Sequence, residues 1–234
     1  MAARAPHHTD KTTAEPARSS ADNCYEWIKR QIVTNGMPPG TAIDERQLAE
    51  KIGVSRTPVR EAVLRLRSEG FIENLPRRGA YVRGLTVKDL RHLYDVVTAL
   101  EVMAVGLIAG RQDRGGAVAE LSGLCEELNK ALDDPAQWTK ADEAFHRALL
   151  TNADNPPLTR SGLLHRDLAQ RAHFVADRAR PKGTEKASVE NHAKLVELIG
   201  NGDAATAREN HFIQRERGSQ TLLTAIEALG LQTL

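Results

Sequence analysis

Only two cysteines, Cys24 and Cys125, occur in the 234 residues, and they lie far apart. That excludes a disulfide framework and a cysteine-based zinc site, and it fits a reducing cytoplasm. Aromatic residues make up only 4%, so any core must be built mainly from Leu, Val, Ile and Ala, a composition suited to packed helices. No uninterrupted apolar run approaches the ~18 residues that cross a bilayer, so no membrane partner is expected. Residues 1–20, MAARAPHHTDKTTAEPARSS, lack the apolar centre of a secretory signal and are expected to be a polar, disordered tail. An excess of one charge is missing too. Lys+Arg 32 against Asp+Glu 31 leaves +1, so bulk electrostatics nominate no partner.

The distribution of charge says more than its sum. Residues 23–85 hold eleven Lys/Arg and seven Asp/Glu, a net of +4, whereas residues 86–234 carry a net of −3. A basic N-terminal module before an acidic remainder is the footprint expected of a protein that sits on nucleic acid. The excess is modest, so phosphate attraction gains from being doubled in a dimer. A content of 41% hydrophobic residues suffices for two small cores.

The periodicity places a first helix over about 22–34, with Tyr25, Ile28, Ile32 and Trp27 as candidates for its inner stripe. Asn35-Gly36 ends it, and Pro38-Pro39-Gly40 prevents its continuation. A short helix over 45–52 turns at Gly53. The next helix begins after Ser55, a good N-cap, and tolerates Pro58 in its first turn. Its apolar side is Val59, Ala62, Val63 and Leu66; its polar side carries Arg56, Arg60, Arg65 and Arg67. Phe71-Ile72 and Tyr81-Val82 read as short strands around the turn Pro76-Arg77-Arg78-Gly79. Beyond Leu85 helices are expected over about 86–110, 115–133, 136–153, 156–179, 185–201 and 203–229, joined by short Gly, Pro and Asp links.

The segment 44–83 is therefore a helix, a tight turn, a basic helix and a basic hairpin. In a helix-turn-helix the second helix enters the major groove with its N-terminal residues toward base edges. Here those are Arg56, Thr57 and Arg60, the two arginines four apart on one face. Arg78 and its neighbour Arg77 at the hairpin tip can reach an adjacent groove or backbone. The stretch PPGTAIDERQLAEKIGVSRTPVREAVLRLRSEGFIENLPRRGAYV resembles the winged helix-turn-helix of GntR-family bacterial transcription regulators. That resemblance implies DNA contacts at Arg46, Arg56, Thr57, Arg60 and Gly79, with Arg46 on phosphate. The expected fold class is mainly α: a winged helix-turn-helix over 21–84, then an antiparallel bundle of six or seven helices over 85–234.

The helical remainder resembles the FCD-like effector domain of the FadR-type subfamily. Such domains dimerise and bind small carboxylates, often beside a divalent metal. The resemblance implies metal ligands at Asp142 and His146 in DEAFH and at His192 in ENH. The last ligand is either His211 or Gln214. The family's usual spacing falls on Gln214, and His211 comes three residues sooner, about 60° away from a full helical turn. An Asp/His₃ set suits Zn²⁺, Ni²⁺ or Mn²⁺. Many relatives carry an effector-binding arginine where this chain has Val97; Arg171, or else Arg166, is the candidate to supply that charge. His165 and His173, eight apart, are candidates to line the same cavity. The expected function is a homodimeric, ligand-responsive regulator, a repressor on an inverted-repeat operator, retuned by an organic acid. Two alternatives remain: a metal-dependent hydrolase with a DNA-binding appendage, and a DNA-binding dimer that senses nothing.

Overall fold

A computed structural model describes residues 19–176 and 184–230, of which 172–176 are described by backbone alone. The expected tail up to residue 18, the Pro181–Gly183 break and the side chain of His173 lie outside the described residues.

The N-terminal module is α1 (Ser20–Val33), α2 (Glu45–Ile52), α3 (Arg56–Ser68), β1 (Ile72–Leu75) and β2 (Gly79–Val82). The first helix starts two residues before the sequence expectation because Ser19 and Asp22 form a reciprocal capping box. Asp44 caps α2 by accepting from the amides of Arg46 and Gln47, and Gly53 ends that helix at φ 80°, a left-handed conformation that favours glycine. One register contact pairs Leu75 with Gly79, and another pairs Ile72 with Val82. Backbone bonds from Gly40 to Val82 and from Ile43 to Ala80 lay the segment before α2 along β2, which steadies the wing. Cys24, Ile28, Val59, Leu66 and Phe71 are fully buried at the centre of the module. Burying each large side chain of this kind contributes roughly 1.5–3 kcal/mol. Trp27 only packs at the edge of this core, with the Lys51 ammonium over its ring.

The remainder is α4 (Val87–Gly110), α5 (Gly115–Lys130), α6 (Pro135–Thr151), α7 (Pro156–Ala176), α8 (Thr184–Gly200) and α9 (Ala204–Ala228). Among the described residues these six helices correspond to the six expected from sequence. Pro135 stands in the first turn of α6 behind the cap Asp134, and Asp203 caps α9. The axis of the bundle is α4, which packs against α6, α7, α8 and α9. Interrupted runs count as well as unbroken ones: by length and composition α4 is apolar enough to cross a membrane, although half of its most apolar stretch is buried in the protein. Glu101 at its middle is fully buried among charged partners, as befits a core helix.

The two domains share a seam. Leu164 and Leu168 of α7 and Leu93 of α4 pack onto the N-terminal core. Lys29 of α1 reaches Asp167 of α7 at 2.5 Å. Arg171 of α7 donates to the carbonyl of Arg83, in the link between β2 and α4.

Candidate functional site

Two surfaces carry chemistry: the exposed tip of α3 with the wing, and a cavity inside the bundle.

At the first surface Arg46, Arg56, Thr57, Arg60, Arg78 and Gly79 are all exposed. The first turn of α3 holds no acidic residue, and Ser55, in the N-cap position, makes no side-chain cap bond. The free N–H groups and positive dipole end of that turn are thus unneutralised, a ready site for phosphate. Among the described residues Arg56, Arg60, Arg77 and Arg78 form no ion pair, whereas Arg46 pairs with Glu50 at 2.9 Å. Arg65 does structural work instead. Its guanidinium lies 3.7 Å from the centroid of the Tyr25 ring and bonds Glu69, while Tyr25 donates to Glu69 at 2.6 Å. Burial and the Glu69 carboxylate push the Tyr25 phenol well above its ordinary pKa, so it remains a donor. At the wing tip Arg77 holds φ 62° and Gly79 φ 92°. Arg77 follows Pro76 in a turn closed by Arg78 N–H to Leu75. A positive φ is uncommon for a residue with a side chain, and it aims adjacent arginines outward at some cost in strain.

The cavity has a volume of about 360 Å³ and is walled by α6, α8 and α9, with Tyr94 of α4. Asp142, His146 and His192 converge at one end. The Asp142 Oδ1 atom lies 3.5 Å from His192 Nε2 and 4.0 Å from His146 Nε2. The other ring nitrogens are committed: His192 Nδ1 donates to the Ser188 carbonyl at 2.6 Å, and His146 Nδ1 donates to Glu101 at 3.0 Å. Burial drives the His146 pKa down to about 4, against the pull of Glu101, so this imidazole is neutral at pH 7. The His146 Nε2 atom therefore offers a lone pair toward the Asp142 carboxylate, which His192 Nε2 also faces. His192 Nε2 is buried without a hydrogen-bond partner. Lone pairs facing a carboxylate repel unless a cation stands among them. Imidazoles held by a carbonyl or carboxylate on the far nitrogen are the usual supporting arrangement of metal ligands. Two bonds of about 2.1 Å meeting at one ion span roughly 3 to 4 Å, so the trio fits a divalent ion.

His211 is placed differently from its expected role. Its Nε2 lies 3.0 Å from Glu101 Oε2, in a group with Glu101 and His146 rather than with Asp142 and His192. Gln214 lines the cavity together with the trio. The group around Glu101 has no need of a metal. Burial alone would raise this carboxyl, but Arg215, His146 and Arg166 hold it well below the usual carboxylate range. Two guanidiniums already supply the positive charge, Arg215 at 3.3 Å and Arg166 in direct contact.

Neither arginine favoured for the effector reaches the cavity. Arg171 faces the Arg83 carbonyl across the domain seam, where burial and the nearby Arg83 bring its pKa down to about 10. Arg166 is held between Glu101 and Glu143. His165 bonds the Ser161 carbonyl and is absent from the lining. Among the described residues the cations that line the cavity are Arg215 and Arg217 of α9. Arg215 also borders a small void beside Val97, the position that lacks an arginine, and Arg166 borders the same void, so the guanidiniums there come from α9 and α7. Glu101 and Arg215 escaped the sequence reading because a lone charge on a helix carries no sign that α4, α7 and α9 meet around it.

A winged helix-turn-helix with a free basic tip, joined to a helical bundle with an internal polar cavity, defines a DNA-binding regulator with a ligand domain. Residues 20–82 match the bacterial regulatory proteins of the gntR family, and residues 92–212 match the FCD domain. The chain belongs to that family: it is a DNA-binding transcription regulator of the GntR/FCD type. It is 34% identical over 157 residues to an HTH-type transcriptional regulator from the ttuE-ttuC' intergenic region of Agrobacterium vitis, an alignment that spans 61% of this chain and 92% of that one. It is 31% identical over 130 residues to the gluconate operon transcriptional repressor of Bacillus licheniformis, covering 55% and 53% of the two chains. The fold is that of McbR/YncC from E. coli, with a TM-score of 0.73 at 23% identity over 88% of this chain and 98% of the other.

Proposed function

We propose that the protein is a homodimeric repressor that binds an inverted-repeat operator and is released or retuned by a small carboxylate in the bundle cavity, beside a divalent metal. Arg56, Thr57 and Arg60 read bases in the major groove, while Arg46, Arg78 and the wing around Gly79 fix the module on the backbone. Zn²⁺, Ni²⁺ or Mn²⁺ is held by Asp142, His146 and His192, with Gln214 beside them and His211 bracing Glu101. When bound, the ion supplies a Lewis-acidic anchor for an oxygen of the ligand. Arg215 and Arg217 take the carboxylate-binding role expected of Arg171. A second copy finds apolar surface in the exposed Val96 and Met103 of α4 and Phe212 and Ile213 of α9.

The observation that carries the ligand reading is the pairing, in one cavity, of the Asp142, His146 and His192 trio, with His192 Nε2 unpartnered, and two arginines. A ligand that binds one dimer geometry better shifts operator affinity by that difference in free energy. The test is a melting-temperature screen of small organic acids on zinc-loaded protein, followed by a mobility shift with any hit. One acid should raise the melting temperature where its close analogues do not, and should change operator affinity. No shift with any acid would favour a dimer that senses nothing.

A further inference from the structure

A string of alternating charges runs from the cavity wall to the DNA-binding module. Glu101 of α4 accepts from His146 at 3.0 Å on the cavity side and from Arg166 of α7 on the other. Arg166 forks onto Glu143 of α6 at 2.5 and 3.3 Å. Arg147, one turn along α6, bonds Glu143 at 3.1 Å and Asp167 of α7 at 2.6 Å. Asp167 turns its second oxygen to Lys29 of α1 at 2.5 Å. Glu101, Arg166 and Asp167 are buried. Lys29 in turn lies over the rings of Tyr25 and Phe71, 5.4 and 5.5 Å from their centroids. Tyr25 bonds Glu69, the C-cap residue of α3.

We propose that this string, Glu101–Arg166–Glu143–Arg147–Asp167–Lys29, is the element through which the DNA-binding module reads the state of the cavity. It rests on the ligand-responsive reading above. Each carboxylate is shared between two cations, so a change in the hold on one changes the share left for the next. Glu101 is the entry point because His146, His211 and Arg215 all meet its Oε2 atom. An anion that draws Arg215 into the cavity, or an ion that fixes His146, alters the charge that Glu101 presents to Arg166. Lys29 is the exit point because its departure from Asp167 frees a cation lodged against the rings that carry α1 onto α3. The six charges sum to zero, so the string is stable intact and sensitive to the loss of any member: a buried charge left alone is costly in low dielectric. Spatial continuity does not establish coupling; non-additivity between residues that do not touch does.

The test is amide hydrogen exchange by mass spectrometry on the full chain, comparing the parent with Glu143→Gln, Asp167→Asn and the double variant. It is read at α1 and, as a control, at α5, which shares no ion pair with the string. Glu143→Gln is expected to speed exchange in α1 at least about threefold while α5 stays within about 1.5-fold of the parent. Asp167→Asn should do the same, and the double variant should add nothing further. An α1 unaffected by Glu143→Gln, effects that multiply, or equal acceleration in α5 overturns the proposal. Should Glu143→Gln fail to fold, Lys29→Met reads the string from its other end: exchange in α6 must rise about threefold, and an unchanged α6 overturns the proposal. Zinc titration by calorimetry on the parent judges the metal reading separately. A protein that binds zinc but fails the exchange test loses the string alone, and one that passes the exchange test without binding zinc loses the metal alone.

Discussion

At the scale of single residues, the division of labour among histidines is the sharpest consequence of the geometry. Asp142, His146 and His192 aim acceptor atoms at one point, whereas His211 spends its Nε2 on Glu101. Substituting a ligand and substituting a brace should therefore differ. His192→Ala and Asp142→Asn are expected to abolish stoichiometric zinc by elemental analysis, while His211→Gln keeps zinc with affinity weakened about 10–100-fold or less. Equal loss in all three would put His211 back in the ligand set. The family resemblance, not spacing alone, made Asp142, His146 and His192 legible in the sequence; the i, i+4 relation adds only that the first two share a helix face. The choice between His211 and Gln214 was not legible, since it depends on how α9 is rotated against α4. Arg171 illustrates the same limit. Its charge is visible in the sequence, but its commitment to the Arg83 carbonyl 88 positions away is not.

At the scale of elements, the wing trades stability for presentation. Arg77 occupies a left-handed conformation at φ 62° in the turn between β1 and β2. Arg77→Gly relieves that strain and is expected to stabilise the fold by up to about 1 kcal/mol, an upward shift of roughly 2–4 °C in the melting temperature. The same substitution removes a phosphate-seeking cation, so DNA affinity should fall and its salt slope should flatten by about 1. Thermal melts and a mobility-shift salt series check both signs; a variant that melts earlier would show that the turn suits its arginine. Element positions were largely readable beforehand. Asp44, Gly53, Pro135 and Asp203 mark helix ends by local chemistry, and period-3.6 stripes fill the spans between. Exceptions were also local: the Ser19–Asp22 box begins α1 earlier than the apolar stripe alone indicates. Ser55 sits at the N-cap of α3 yet makes no side-chain bond, which leaves that helix end open to DNA.

At the scale of the whole molecule, an acidic bundle with a polar cavity stands behind a basic reading head, and α7 links them through Leu168, Asp167 and Arg171. Metal occupancy should consequently stabilise the bundle: at a hundredfold excess over the dissociation constant the gain is about 2.7 kcal/mol. Stripping the protein with a chelator is expected to lower its melting temperature, and re-adding zinc should restore it in the parent but not in His192→Ala. No change on chelation would remove the ion from the account. The measurement that bears most directly on the central claim, that the open first turn of α3 reads the operator, is a mobility shift with duplexes selected from a random library by the parent protein. The Arg56→Ala/Arg60→Ala double variant should lose at least about thirtyfold in affinity for the selected duplex, taking roughly 1.4 kcal/mol per tenfold and 1–3 kcal/mol for each base-reading arginine. Its binding to a scrambled duplex should change far less. A double variant that holds the selected duplex as tightly as the parent would contradict the claim.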